Sequence, residues 1–238
     1  MKDTKKIVAL TGAGISAESG ITTFRDSGGM WEQYDVMEVA SIDGWHRNPQ
    51  LMLRFYNDRR KQLGEVEPND AHRILAELEN DFDVTIVTQN VDNLHERGGS
   101  TKIIHLHGEL TKARGSIDTD TIIDVGYGAI EWGDKAPDGS QLRPHIVWFG
   151  EAVPLIAAAA KVVSKADILL IIGTSLNVYP AAGLVEYADP KACIYLIDPN
   201  EVAGTRRNIN IIREKATTGM KNFKNSIIPN LQNINLNI

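Results

Sequence analysis

The chain of 238 residues contains a single cysteine, Cys193. No disulfide can close within it, and no cysteine cage can hold a metal. Cys193 lies in the apolar run ACIYLI, the setting of a buried structural thiol rather than of a nucleophile. Aromatic residues make up only 6%, and long apolar runs are missing near the start: IVAL at 7–10 is too short for the core of a signal peptide or a membrane span. A basic excess is lacking as well. With 25 Lys and Arg against 31 Asp and Glu, the formal net charge is −6, and nothing supplies the concentrated positive surface that nucleic acid requires. These absences leave a cytoplasmic enzyme or binding protein, expected to be a monomer with neither nucleic acid nor membrane as a partner.

What is present is a set of β-branched runs: IVAL (7–10), VTIV (84–87), IIHL (103–106), HIVWF (145–149), ILLIIG (168–173) and CIYLI (193–197). Several are continuous rather than alternating, as strands covered on both faces read in a parallel sheet. Helical patterns lie between them at 69–80, 154–165 and 180–188, with Pro154 and Pro180 suited to first turns. Strands alternating with helices predict an α/β fold with an open parallel sheet. Two segments break the rhythm, a mostly helical stretch at 28–68 and a Gly-, Asp- and Thr-rich stretch at 111–144. They are expected to build a small lobe beside a main domain made from 1–27, 69–110 and 145–238. The Asn- and Ile-rich tail from 222 is read as a last helix.

The loop TGAGISAESG follows the first strand directly. Gly12 and Gly14 allow a tight turn and close approach to a phosphate, and a helix starting near Ile15 would offer N–H groups to it. Alone, G-x-G fits a structural turn equally well. Ala17 occupies the third glycine position of the dinucleotide fingerprint, and no acid ends a second strand at the usual distance, so a hydride-transferring dehydrogenase fits poorly. Further polar loops follow other strands. TQNVDNLHERGG carries Gln89, Asn90 and Asp92; HLHGEL carries His105 and His107 on one side of an extended segment; IIGTSLNVYPAAG leads into a helix; LIDPN ends in Asp198 and Asn200. The carboxyl edge of an α/β sheet is where binding sites gather.

These motifs, in this order, resemble the sirtuins, the NAD-dependent protein lysine deacylases. GAGISAESGITTFRD, TQNVDNLHERGG, HLHGEL, VWFGE and GTSLNVYPAA carry the resemblance, which covers residues 5–220. It implies a Rossmann-like large domain, a small lobe made of the two insertions, and a cleft between them for NAD and an acyl-lysine peptide. It further implies that Gly12, Ala13, Gly14, Ile15 and Ser16 surround the NAD phosphates, that Phe24 closes over the nicotinamide ribose while Arg25 helps to order the loop, and that Gln89 contacts the ribose. Asn90 and Asp92 would orient the nicotinamide end, while Gly173, Thr174, Ser175, Asn200 and Ala216 would receive the adenosine half. His107 would be the catalytic base, taking a proton from a ribose hydroxyl, an imidazole task near neutral pH. His105 is read as structural. Products would be free lysine, nicotinamide and O-acyl-ADP-ribose. The peptide would add as a strand between a wall formed by Val147, Phe149, Gly150 and Glu151 and the segment ending at Val178.

Two features set the sequence apart within that resemblance. Most sirtuins hold a structural zinc with four cysteines in the second insertion, where this chain has none; Gly115 stands about where the first would fall. Asp118, Asp120, Asp124, Asp134 and Asp138 make a poor zinc set without thiol or imidazole partners. No zinc is expected. The lobe is expected to rest on apolar packing of Ile117, Ile122, Ile123, Val125, Tyr127, Ile130 and Trp132. The second feature is RFYNDRRKQL at 54–63, where Tyr56 and Arg59 share a helix face. This resembles the Tyr-x-x-Arg pair of the subclass that removes succinyl and malonyl groups, with Ala40 leaving room at the pocket floor. Acetyl removal is expected beside it. Arg60 and Lys61 are read as ordinary solvated charges.

Overall fold

The computed structural model describes residues 4–21, 34–174, 176, 178–202 and 209–233. Phe24, Arg25 and Ser175, named above as NAD-binding, lie outside the described residues. The strands, in chain order, are β1 (Lys6–Thr11), β2 (Asp83–Thr88), β3 (Ile103–His105), β4 (Gly108–Gly115), β5 (Ile122–Asp124), β6 (Leu142–Ile146), β7 (Ile168–Ile172), β8 (Cys193–Ile197) and β9 (Ile209–Ile212). Six of them form one sheet in the order β3-β2-β1-β7-β8-β9, every pairing parallel. The order runs outward from β1 on one side and from β7 on the other. It therefore reverses between those two strands, and the loops leaving their carboxyl ends frame a ready-made crevice.

Alternation along the strands explains why the apolar runs are continuous. In β1, Ile7 and Ala9 join the core on one face while Val8 and Leu10 join the core on the other. β7 divides in the same way, with Ile168, Leu170 and Ile172 against Leu169 and Ile171. The first face is covered by Ala71, Ile74 and Leu75 of a helix at Asp70–Glu77 and by Ala216, Met220 and Phe223 near the end of the chain. The second is covered by Ala159 and Val163 of a helix at Ile156–Val163 and by a 3-10 segment at Ala181–Tyr187. Burial on both faces demands apolar side chains at every position.

The helices are α1 (Gly14–Ala17), α2 (Val36–Val39), α3 (Ile42–Arg47), α4 (Pro49–Glu65), α5 (Asp70–Glu77), α6 (Leu94–Arg97), α7 (Ile156–Val163), α8 (Ala216–Asn222) and α9 (Ile228–Asn233). Local chemistry sets their ends. The Asn48 side chain accepts from Leu51 N at 3.1 Å ahead of Pro49, which opens α4. Asn69 caps α5, and the His72 ring accepts the Asn69 amide in return.

The second unit is a three-stranded antiparallel sheet, β5-β4-β6, packed against α2–α4. Its core joins Trp45, Met52, Phe55, Tyr56 and Leu63 from the helical insertion to Leu110, Ala113, Ile130, Leu142 and Ile146. Three expectations change here. The run 145–149 is not a strand of the parallel sheet: β6 ends at Ile146 and pairs antiparallel with β4, and Trp148 leaves it to enter the lobe's core. Ile117, Ile122, Tyr127 and Trp132 do not pack inside; they are 82%, 48%, 44% and 54% exposed, while Ile123, Val125 and Ile130 do pack. Polar clasps on the aspartates hold that loop instead. Asp138 accepts from Asp118 N, Ser140 N and Ser140 Oγ at 2.8, 3.0 and 2.8 Å, and Asp118 accepts from Asp120 N at 2.9 Å.

The third change concerns Arg60, which is fully buried rather than solvated. Its Nε donates to Leu110 O at 2.6 Å and its Nη1 to Asn57 Oδ1 at 2.7 Å. Asn57 in turn holds both backbone groups of Ile130, donating to its carbonyl and accepting from its N–H, each at 3.0 Å. Lys61 is exposed, as expected. No helix among the described residues is long and apolar enough to cross a membrane.

Candidate active site

A cavity of about 1190 Å³ opens at the β1–β7 crevice and runs between the parallel sheet and the small lobe. Its wall gathers residues from the loops after β1, β2, β3, β6, β7 and β8 together with Ala40, Tyr56 and Arg59 from the helical insertion.

At the crevice floor two loops touch. A Cβ on Gly14 would stand 2.7 Å from the Cα of Gly173, and one on Gly12 would stand 2.7 Å from Thr174 Cβ. Only glycine permits this contact; Gly173 itself has φ +61°. The loop's amides are less free than expected. Gly12, Gly14, Ile15 and Ser16 donate to Ile172, Gly173, Gly12 and Ala13 carbonyls at 2.8–3.1 Å. Of these five residues, Ala13 alone keeps an N–H without a protein acceptor among the described residues. Ile15, unlike Gly12, Ala13, Gly14 and Ser16, is not part of the cavity wall. Its side chain is fully buried in the sheet core, because α1 turns that position inward.

The polar groups beyond β2 form one network. Asn90 Nδ2 donates to Gly12 O at 3.1 Å and to Ser16 Oγ at 3.2 Å, and Ser16 Oγ donates to Asp92 Oδ2 at 2.9 Å. Asp92 Oδ1 accepts from Leu94 N at 3.2 Å. Burial pushes the Asp92 carboxyl up, against the bonds from Leu94 and Ser16. Gln89 Nε2 reaches Thr174 Oγ1 at 3.2 Å across the crevice. Behind Ser16 lie two buried histidines, His72 and His95, with ring centroids 4.9 Å apart. Burial lowers both; His72 falls to about 4.

His107 follows β3, at the turn into β4. Its Nδ1 lies 3.0 Å from the Gln89 carbonyl, which can only accept, so Nδ1 carries the proton and Nε2 is the basic nitrogen. Burial lowers its pKa below 6.5, against the bond to Gln89. Gly108 makes the turn possible: its φ is +81°, and a Cβ there would come 2.0 Å from His145 O. His105 is buried apart from the cavity, between Glu96 Oε1 at 2.7 Å and the Asn90 carbonyl at 3.2 Å.

One end of the cavity is built on α4, which supplies Tyr56 and Arg59 to its wall. The Tyr56 ring is buried, and its hydroxyl accepts from Trp148 Nε1 at 2.9 Å. Burial pushes the phenol up to about 12, so it stays protonated. Arg59 stands one turn along the same face, its guanidinium 5.8 Å from the Phe55 ring centre. Val147, Phe149, Gly150 and Val178 line the cavity as expected, with Phe149 45% and Val178 39% exposed. Glu151 lines it too, but its carboxylate is engaged by Arg143, with Nη1–Oε1 2.8 Å and Nη2–Oε2 3.0 Å, and by Trp148 N at 2.9 Å. Asn200 and Ala216 complete the far end. Asp198 of LIDPN also lines the wall, as do Trp148, Glu18 and Lys215, to which the sequence alone gave no role in binding.

The bare glycine floor, the amide and hydroxyl side chains above it and the room available fit a bound dinucleotide. A zinc of the family kind is not fitted by the second insertion: residues 111–144 hold no cysteine or histidine, and Asp118 and Asp138 are spent on turn amides. Elsewhere, Glu96, His105 and Glu109 bring ligand-type atoms within 4.8 Å of one another, but they are already paired internally and with Lys112.

An open α/β sheet with its crevice at the switch point, a small lobe over it and a histidine in the cleft wall fit a two-lobed nucleotide-dependent enzyme. The chain belongs to the Sir2 family, whose family description matches residues 12–180. A protein of Bacteroides thetaiotaomicron named NAD-dependent protein deacylase is 56% identical over 232 residues, spanning 94% of this chain and 99% of its own. The crystal structure of a Sir2 homologue in complex with NAD superposes with a TM-score of 0.86 at 36% identity, covering 96% of this chain and 91% of its own. A Sir2 protein solved with a deacetylated p53 peptide and 3′-O-acetyl ADP-ribose gives a TM-score of 0.79 at 28% identity, covering 94% of each chain.

Proposed function

We propose that this Sir2-family chain is an NAD-dependent protein lysine deacylase whose acyl pocket favours succinyl and malonyl groups and also admits acetyl. The observation that carries the acyl preference is the pairing of Tyr56 and Arg59 in the wall of the same cavity as His107. A guanidinium holds a carboxylate through two parallel N–H bonds, and a protonated phenol adds a third. Ala40, small and 7% exposed, adds little bulk to that wall.

NAD, when bound, supplies the ribose that accepts the acyl group and nicotinamide as the leaving group. The chain's own part is positioning and proton transfer. Asn90 and Asp92, held by the network through Ser16 and Gly12, would orient the nicotinamide end. His107 Nε2 takes a hydroxyl proton, with its ring held by Gln89 O. Phe24 is proposed to close over the nicotinamide ribose, Arg25 to help order the loop that carries it, and Ser175 to join the adenosine set. A peptide strand would lie between Phe149 and Val178. Phe149 N and O are taken by Ala40 O and Ile42 N, which leaves Gly150 N–H and Val147 C=O for the incoming chain among the described residues.

The test is incubation with NAD and matched succinyl-, malonyl- and acetyl-lysine peptides, followed by mass. Free lysine peptide and O-acyl-ADP-ribose are expected, fastest from the acidic acyl groups. ADP-ribosylated protein without peptide deacylation would replace this reading by ADP-ribose transfer.

A further inference from the structure

Trp148 lies beside the acyl pocket, and its hydrogen bond carries information that its burial does not. An indole N–H can only donate, so the 2.9 Å contact between Trp148 Nε1 and the Tyr56 hydroxyl has one direction. The phenol oxygen accepts there. Its own hydrogen must then point along the remaining in-plane direction. Among the described residues no acceptor receives it, and Tyr56 lines the cavity.

The indole is itself locked. Arg143 lies over the Trp148 ring at 3.5 Å from its centre, Trp45 packs on it at 5.3 Å, and the Trp148 amide donates to Glu151, which Arg143 grips through both oxygens. Trp148, Arg143, Trp45 and Tyr56 are all buried. A rigid donor against one side of the hydroxyl thus turns an ambivalent group, able to donate or accept, into a donor facing the cavity. A carboxylate, which only accepts, matches a wall of Tyr56 and Arg59 donors.

We infer that Trp148 is the positioning residue that sets the polarity of the Tyr56 hydroxyl, and through it the preference for acyl chains ending in carboxylate. This rests on the deacylase reading with its Tyr56–Arg59 pocket.

The experiment is a double-mutant cycle on the ratio of desuccinylation to deacetylation, each as kcat/KM. Trp148→Phe is expected to lower that ratio about threefold to tenfold, the worth of one ordinary hydrogen bond. Tyr56→Phe should lower it similarly. The double variant should be no worse than Tyr56→Phe alone, because the indole acts only through the hydroxyl. A second variant, with benzothienylalanine placed at 148, keeps the bicyclic shape and removes only the N–H; it should reproduce the Trp148→Phe ratio even where Phe perturbs folding. An unchanged ratio in both 148 variants, or independent multiplication of the two single effects, would overturn the inference. If instead the unmodified protein shows no succinyl preference, or Arg59→Met leaves the ratio unmoved, it is the pocket reading itself that fails.

Discussion

Arg60 Nε donates to the carbonyl of Leu110 at 2.6 Å, and this bond ties the longest helix of the small lobe to the strand that begins one residue after His107. The helix that carries Tyr56 and Arg59 is thereby registered against the strand that follows the His107 turn. Burial lowers the Arg60 pKa to about 10, which still leaves it charged at neutral pH. Replacing it by Met keeps the apolar stem but strips the Leu110 carbonyl of its partner. The expected loss is about 2–4 kcal/mol in denaturant unfolding, from an unpaired buried acceptor and a lost charge-assisted bond. Lys61→Met, one residue on and exposed, should stay within about 0.5 kcal/mol.

Arg59 is expected to act on substrate choice instead. Arg59→Met should reduce kcat/KM for succinyl-lysine peptide at least about tenfold, the equivalent of roughly 1.4 kcal/mol in transition-state binding. Acetyl-lysine has no carboxylate for the guanidinium to hold, so its rate should fall much less. Equal losses for both acyl groups would exclude a carboxylate clamp.

The parallel sheet was legible because burial on both faces writes itself as unbroken apolar runs, as in ILLII of β7. The glycine floor, His107, Asn90 and Asp92 were legible as motifs. Position within a motif did not reveal direction: Ile15 stands inside GAGIS yet faces the core, and its amide is spent on Gly12. Arg60 misled because charge in a sequence says nothing of the carbonyls that wait across the fold; only the pairing of α4 with β4 supplies Leu110 O. The apolar residues of the second insertion misled for the converse reason. Asp118 and Asp138 satisfy that loop's amides through short-range turns, which allows Ile117 and Trp132 to remain outside. Trp148 was visible only as a letter of the VWFGE motif, and its indole's partner lies 92 residues away.

The second insertion also bears on metals. With no cysteine in it and its carboxylates capping turns, the lobe should not depend on a metal ion. Metal analysis of the purified protein should find no stoichiometric zinc, and a chelator should leave Tm unchanged. A fall in Tm on chelation, restored by zinc, would show a metal site among residues that these contacts do not explain.

His107 should give the rate profile its acid limb. The base works only when neutral, and burial holds its pKa below 6.5. Activity should therefore be level as pH falls to 6.5 and decline tenfold per pH unit only beneath the depressed pKa. His107→Ala should lower kcat by about 10²–10⁴-fold and remove that limb. A limb centred above pH 6.5 would point to a different proton acceptor.

Stability should show its own acid dependence, and His72 gives its sign. Above pH 6.5 the imidazole is neutral in both the folded and the unfolded chain, so it adds no pH dependence. As pH falls, the unfolded chain takes the proton first, because burial holds the folded pKa near a value of about 4. The folded state is thus penalised progressively from 6.5 downward, and the loss levels off below about 4 at roughly 3 kcal/mol. His95, packed against it and also lowered by burial, acts in the same direction. His72→Gln keeps a side chain able to accept the Asn69 amide and removes the titration. Its unfolding free energy should therefore vary less between pH 6.5 and pH 4 than that of the unmodified protein. Equal slopes, measured by urea denaturation at a series of pH values, would mean that His72 is hydrated or already protonated in the folded protein.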